Sequence, residues 1–313
     1  MSKKILIIGS GIAGIAASLK LKSYGLESTI VDKGNFIGGR IGTREQKLRK
    51  STYYYFHGAQ FFSAKKKFQK IINTGVKKNY IKEFGKFTPS RFRGYPTMRN
   101  FLSNLSKDIN ILQNYKITCL KKINDKINVL EDTKKTWNVF DAVISTIPAP
   151  QNLELMDDFP ILKQSLETAS YDACIALMFY FDKKPLNIPT YFDFYNKDSI
   201  LGWMAAGSNI KFWTAHSKSL YSNLNLDTNK SLIRNEILSS IKDFFFTNHN
   251  ILNINFSSLH VWKYAKIKKI VVGKQIDPEF PIAIAGDFME GPNVESSFIS
   301  GEKAADLIFD RLS

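Results

Sequence analysis

Cysteine is scarce in this chain. Only Cys119 and Cys174 occur among 313 residues, and neither belongs to a CxxC pair. A zinc site or dithiol redox centre built on paired thiols is therefore excluded, and no metal is expected. Low thiol usage fits a reducing compartment, so a cytoplasmic location is expected. Long apolar runs are also missing. Nothing approaches the roughly 18 residues a membrane-spanning helix needs, and no membrane span is expected. The opening, with Lys3 and Lys4 before an apolar stretch, looks superficially like a signal peptide, but Gly9, Gly11 and Gly14 interrupt it. Acidic residues are few: 28 Asp and Glu against 44 Lys and Arg, a net charge of +16. Such an excess can serve nucleic acid, a membrane surface or an anionic ligand. The lysines are scattered (Lys65 to Lys67, Lys77 and Lys78, Lys121 and Lys122, Lys268 and Lys269), and no nucleic-acid motif accompanies them. An anionic small molecule suits that diffuse field better. What the chain does have is apolar and aromatic content, 44% and 13%. That is enough for a large core, and the length predicts two domains of about 150 residues.

The first of them opens at once. Residues 5–8 are an apolar run, as a strand buried on both faces requires. Gly9-Ser10-Gly11-Ile12-Ala13-Gly14 follows, and Ile15, Ala16, Leu19 and Leu21 mark a helix that stops at Gly25. Residues 28–31 form the next strand, ended by Asp32. Gly9 permits the tight turn, Gly11 lets the backbone approach a pyrophosphate, and Gly14 allows close helix–strand packing. The helix start offers free N–H groups and positive dipole to phosphate. Asp32 stands where a carboxylate accepts from ribose hydroxyls. A lone GxGxxG is weak evidence, but strand, glycines, helix, strand and acid in this order are the context a Rossmann unit needs.

That unit does not choose between dinucleotides. Residues 33–44 read Lys-Gly-Asn-Phe-Ile-Gly-Gly-Arg-Ile-Gly-Thr-Arg. With Gly38-Gly39-Arg40 so close behind Asp32, this resembles flavoproteins of the amine-oxidase and glutathione-reductase type. There the paired glycines let the backbone pass the cofactor and the arginine lies near its phosphates. At the far end, an apolar strand over 282–285 stops at Gly286-Asp287, and a helix runs from about Val294 to Leu312. In the resembled group the aspartate faces the ribityl and phosphate region. The helix start points at the flavin pyrimidine edge, where a reduced flavin carries negative charge. The helix's apolar face (Phe298, Ala305, Ile308, Phe309) would exist in a plain packing helix as well. Between these ends, residues 117–123 and 126–130 read as strands around an Asn124-Asp125 turn, and 141–147 as another strand stopped by Pro148.

Several segments together resemble renalase-like proteins, a branch of those flavoproteins. They are Gly38-Gly39-Arg40 with Thr43-Arg44, the run from His57-Gly58-Ala59-Gln60 to Phe62, DAVISTIPAPQ at 141–151, YDACIALMFYFD at 171–182, Trp213 to His216, His260 to Ala265, and Gly286-Asp287 with Val294-Glu295 and Ser300-Gly301. They keep the family's order and span nearly the whole chain. One departure is Phe56, where the family usually has an acid, and the loop 289–293 matches weakly. The resemblance implies non-covalent FAD, held by Gly9, Gly11, Ile12, Ala13, Gly14, Asp32, Lys33, Gly39, Arg40, Ala59, Gln60, Phe61, Ile117, Pro148, Gly286, Asp287, Val294 and Glu295, with main-chain contacts to adenine at Ile117. It implies oxidation of isomeric dihydronicotinamide dinucleotides, with hydride passing to the flavin and O2 taking the electrons to give H2O2.

Hydride transfer from a dihydropyridine needs no strong base; it needs a stacked, dry, oriented ring. Trp203, Trp213, Trp262 and Tyr264 fit as walls, and His57, Gln60, His216 and His260 as polar groups. Alternating aromatics such as Trp262 and Tyr264 also suit an ordinary packed strand, and each histidine could be structural. Cys119 and Cys174 read as small buried residues, which argues against a covalent flavin. The expected architecture is α/β: a Rossmann-type FAD-binding domain over 1–65, 97–151 and 274–313, interleaved with a mixed-sheet substrate domain over 66–96 and 152–273. A helix is expected over 231–246, with Leu232, Ile233, Ile237, Leu238 and Ile241 on its apolar face. The protein is expected as a monomer or homodimer without nucleic acid. Two rival readings stay open: a flavin enzyme for an amine, carotenoid precursor or porphyrinogen, and a non-catalytic FAD-binding protein.

Overall fold

The computed structural model describes residues 3–48, 51–65, 68–249, 251 and 253–313, with the backbone alone for 134–137. A five-stranded parallel sheet forms the base. Its order across the sheet is Ile282–Ile284, Ala142–Ser145, Ile5–Ile8, Ser28–Asp32 and Asn110–Gln113. The central strand Ile5–Ile8 is buried throughout, as its unbroken apolar sequence anticipates. Helix Ile12–Ser23 follows, and Gly25 (φ +77°) ends it with its N–H on the Lys22 carbonyl. The C-terminal helix Val294–Leu312 packs along the first helix. Its Phe298, Ala305 and Ile308 are buried, and Phe309 stacks on Tyr24 with ring centroids 4.2 Å apart.

An antiparallel meander, Ile117–Ile123, Lys126–Glu131 and Lys134–Phe140, covers one face of the parallel sheet. Asn124 takes the left-handed turn position (φ +51°). Only two of those strands were legible in the sequence.

The second large sheet runs Tyr191–Asp193, Leu201–Ala206, Phe212–Ser217, Ser170–Phe181, Ile254–Lys269. A mixed sheet is expected there, yet every pairing is antiparallel. Leu201–Ala206 and Phe212–Ser217 are joined by a short hairpin, which only antiparallel neighbours permit. Helix Lys230–His249 covers one face through Ile233, Ile237, Ile241 and Phe245. Leu232, placed on the apolar face from sequence, is instead 63% exposed, one position off the stripe. Trp213 also departs from expectation. It points into this helix-covered core beside Phe179 and Phe245 and is no site wall. Cys119 and Cys174 are half-buried rather than buried; Cys119 lies on an edge strand of the meander.

A small sheet, Phe62–Ser63, Arg91–Gly94 and Ile81–Glu83, spans the predicted boundary at residue 65, and Lys66 and Lys67 beside it lie outside the described residues. No described helix is long and apolar enough to cross a membrane.

Helix-to-helix approach depends on small residues. A Cβ on Gly301 would collide with the Ala13 carbonyl, whereas one on Gly11 meets nothing within 4 Å. Gly301→Ala is expected to lower unfolding stability in urea by about 1–3 kcal/mol. Gly11→Ala should stay within about 0.5 kcal/mol of wild type when no ligand is bound. Equal denaturation midpoints for the two variants would refute this packing.

Candidate active site

The glycine turn sits at the C-terminal end of Ile5–Ile8. Gly9 has φ +107°, and a side chain there would strike Thr146, whose hydroxyl donates to the carbonyls of Ile8 (2.9 Å) and Gly9 (3.0 Å). A Cβ on Gly14 would collide with the Gly9 carbonyl. Ile12 and Ala13 open the helix with buried side chains. Gly11, the N-cap, supplies no side-chain bond, so the helix start keeps its amides for a ligand. Gly38 N–H donates to Ser10 C=O at 3.1 Å, and Gly39 (φ +49°) brings its backbone against Gly11. Open space over Gly11, bordered by bare backbone, fits a diphosphate, and these residues suit the nucleotide half of FAD.

Asp32 is more occupied than expected. Its Oδ2 accepts from Ser10 N–H (2.7 Å) and the Ser10 hydroxyl (2.6 Å), and its Oδ1 from Gly34 N–H (2.8 Å). The carboxylate holds the glycine turn to the strand end, while remaining half-buried and open to a ribose. Tyr115 N–H donates to the Asp32 carbonyl, which sets Ile117 beside the same sheet end. Lys33 is exposed and donates to Gln151 near Pro148.

Arg40 and Asp287, expected to face the cofactor separately, hold each other. Arg40 Nη1 and Nη2 donate to Asp287 Oδ2 and Oδ1 at 2.5 and 2.6 Å. Burial opposes the guanidinium charge, but Asp287 outweighs it and keeps Arg40 ionised. Tyr171, missed in the sequence, donates its hydroxyl to Asp287 (3.3 Å), and burial beside that carboxylate pushes its ionisation up. Gly286 (φ +154°) donates its N–H to Ser300 at the C-terminal helix. The Glu295 carboxylate accepts from the backbone N–H groups of Lys65 (2.7 Å) and Phe68 (3.3 Å), so its side chain anchors a loop, leaving its main chain, in the first turn of the helix, as the part that can face a cofactor. The buried start of the C-terminal helix, at Val294, is capped by Asn293 through Ser296 N–H.

The predicted catalytic residues meet on the other face of the antiparallel sheet. Strand periodicity carries Trp203, His216, His260 and Trp262 to that face, because Trp203 pairs with His216 and Ala176 lies between His216 and His260. The loop at 57–60 packs against them. His57 stacks on Trp262 (centroids 5.3 Å) and meets His260 edge-on (5.1 Å). Trp262 Nε1 donates to His57 C=O at 2.9 Å. Trp203 Nε1 donates to His216 Nδ1 at 3.0 Å, which leaves Nε2 as the protonated nitrogen, donating to His57 C=O at 3.1 Å. Ala59 N–H donates to Arg40 C=O, tying this wall to the nucleotide loop. Gln60 donates to Thr214 C=O at 3.4 Å, and its buried Oε1 has no partner among the described residues. Tyr264 stands apart, against Tyr171 and Arg40.

An aromatic–guanidinium cluster extends the wall, and no motif in the sequence announces it. Phe61 packs on Phe84, Tyr191 and Trp203. Arg91 lies over Phe87 (4.1 Å), Phe61 (4.5 Å) and Tyr191 (5.3 Å), and Arg93 over Phe84 (3.8 Å) and Phe56 (4.9 Å). Arg93 has no carboxylate partner among the described residues, and burial drives its ionisation down to about 9. Phe56, where the resembled family has an acid, thus supplies a ring face to a guanidinium.

Comparison with known proteins agrees with this geometry. Residues 7–73 match the NAD(P)-binding Rossmann-like domain family. The chain therefore carries a Rossmann-type dinucleotide-binding domain in an α/β fold. Over 39 residues it is 49% identical to a 1-hydroxycarotenoid 3,4-desaturase of Flavobacterium sp. (strain P99-3), a stretch covering 12% of this chain and 8% of that protein. Two solved structures share the whole fold, each covering 99% of both chains at 11% identity. One, assigned as a protoporphyrinogen oxidase of Exiguobacterium sp. 255-15, has TM-score 0.73; the other, a putrescine oxidase redesigned at its cofactor site, has 0.71.

Burial, then the neighbouring His260 and Arg44, lowers His57 to about 3; burial lowers His216 to about 4. Both stay neutral in the folded state while the unfolded chain takes up protons below its ordinary value near 6.5. Their stabilising contribution is complete above pH 6.5 and is lost as pH falls toward 4. Unfolding stability is expected to drop by up to about 1.4 kcal/mol per pH unit per histidine across that window. Replacing both with Gln should flatten that part of a pH series of urea denaturation curves.

Proposed function

We propose that this protein is an FAD-dependent oxidoreductase of the renalase type that oxidises isomeric dihydronicotinamide dinucleotides. The observation carrying this reading is the charge state of the wall. The histidines set around the expected ring position are neutral, and in the cluster that extends the wall the rings of Phe84 and Phe87 already hold guanidinium groups. A cage for a substrate ammonium needs free ring faces and a tolerant field, so amines are disfavoured. An anionic donor suits the field, and one that is already a dihydropyridine needs no base.

In this reading the amides at Gly11 to Gly14 take the cofactor diphosphate, and Asp32 the ribose. Bound FAD would supply a two-electron acceptor. His57 and Trp262 would orient the dihydropyridine ring, with Trp203 and Phe61 excluding water. The donor gives up a hydride and becomes ordinary NAD(P)+; O2 takes the two electrons and, with two protons, leaves as H2O2. Both thiols argue for non-covalent attachment, since burial raises Cys174 to about 12 and keeps it unreactive. The division into a cofactor domain (1–65, 97–151, 274–313) and a substrate domain (66–96, 152–273) belongs to the same proposal, as do the cytoplasmic location and a monomeric or homodimeric state.

The purified protein is expected to show flavin absorption bands. Anaerobic mixing with isomeric NADH or NADPH should bleach them rapidly, and ordinary NADH far more slowly. Bleaching by amines alone would move the protein to another branch of the fold, and no bleaching by any donor would make it a binding protein.

A further inference from the structure

Helix Lys230–His249 begins against the outer strand Ile254–Lys269, and the hairpin strand Arg44–Leu48 starts beside both. Between them is a cavity of about 330 Å3 whose lining includes Arg44, Lys230, Arg234, Phe256, Ser257 and Ser258. Its charge is of one sign: no Asp or Glu is among the lining residues. Among the described residues, none of the three cations is in an ion pair. Two acids close in sequence to these cations are engaged elsewhere. Glu45 pairs with Arg99, and Glu236 accepts from Tyr221. Arg44 donates to the Ser258 hydroxyl at 3.2 Å, and Arg234 lies over Phe256 at 5.4 Å.

This arrangement works against the helix that carries it. Helix N-termini favour acids, yet the first turn here has none and holds Lys230 instead. Lys230 and Arg234, four apart on one face, repel each other. A helix selected for stability alone would carry the opposite charges, and an anion in the cavity would offset the repulsion.

We propose that this cavity is a phosphate-binding site, holding a phosphate of the nucleotide substrate while its nicotinamide ring reaches the His57–His260–Trp262 wall. The proposal rests on the reading given under Proposed function. Guanidinium groups pair with phosphate oxygens through two N–H bonds at once, the Lys230 ammonium adds a third cation, and the Phe256 ring offers a face to sugar or base. The site is close to the wall: besides burial, the fields of Arg44 and Lys230 hold the His260 ionisation down.

The test is calorimetric titration of the FAD-loaded protein with ADP, adenosine 2′,5′-bisphosphate and adenosine. The phosphorylated ligands should bind roughly tenfold or more tightly than adenosine. The stronger of the two then tells a diphosphate from a 2′-phosphate. The Lys230→Ala/Arg234→Ala double variant should lose about that factor, while flavin content holds and the melting temperature does not fall. In turnover, the variant's KM for isomeric dihydronicotinamide dinucleotides should rise with kcat unchanged, and its oxidation of phosphate-free dihydronicotinamide riboside should not change. Equal binding of all three ligands, an indifferent double variant, or preference for phosphatidylserine vesicles over nucleotides overturns the site. Phosphate-dependent binding in a protein that oxidises no dihydronicotinamide would keep the site and remove the oxidase reading.

Discussion

The bidentate contact between Arg40 and Asp287 ties together parts of the chain 247 residues apart. Arg40 follows the glycine pair that lies against the nucleotide turn. Asp287 follows the last strand of the parallel sheet. Tyr171, at the start of the second sheet's long strand, bonds the same carboxylate, and the main-chain carbonyls of Tyr264 and Ala265 accept from the same guanidinium. One half-buried ion pair therefore joins the nucleotide turn, the C-terminal elements and both long strands of the second sheet. Removing one partner of such a pair leaves the other charge stranded, at a cost of about 3–5 kcal/mol. Its placement suits a protein that must fix one sheet relative to another across a cleft.

Much of the nucleotide-binding half was legible in the sequence because its determinants are local. The spacing of Gly9, Gly11 and Gly14, the strand on either side and the stop at Gly25 each follow from a few neighbouring residues. The C-terminal helix was equally clear, since its apolar face repeats with the helical period. The residues that were misassigned depend on long-range partners. The Glu295 side chain reads as free for a cofactor until the loop at Lys65 and Phe68 is seen to claim both its oxygens. Arg91 and Arg93 gave no signal, because the rings they cover come from three separate segments, around Phe56 and Phe61, around Phe84 and Phe87, and at Tyr191.

Trp213 is instructive in a different way. It and His216 lie three apart on one strand, and strand geometry sends such residues to opposite faces. His216 faces the cleft, so Trp213 had to face the core. That inference needed only the period of a strand and the choice of one residue. By the same rule His260 and Trp262 share a face, and they do meet His57. The cleft wall is thus set by alternation along three strands, while its charge comes from side chains outside them.

The order of strands in the parallel sheet has a consequence for biosynthesis. Ile5–Ile8 leaves the ribosome before the other four strands of this sheet yet ends up central, flanked on one side by Ala142–Ser145, beyond which Ile282–Ile284 is laid down. The glycine turn is translated well before its surroundings, which wait for Thr146, for Asp287 and for the helix that packs on Ala13. A nascent chain therefore holds an unfinished dinucleotide cradle until the Asp287 segment and helix Val294–Leu312 have emerged, at about 5–20 residues per second.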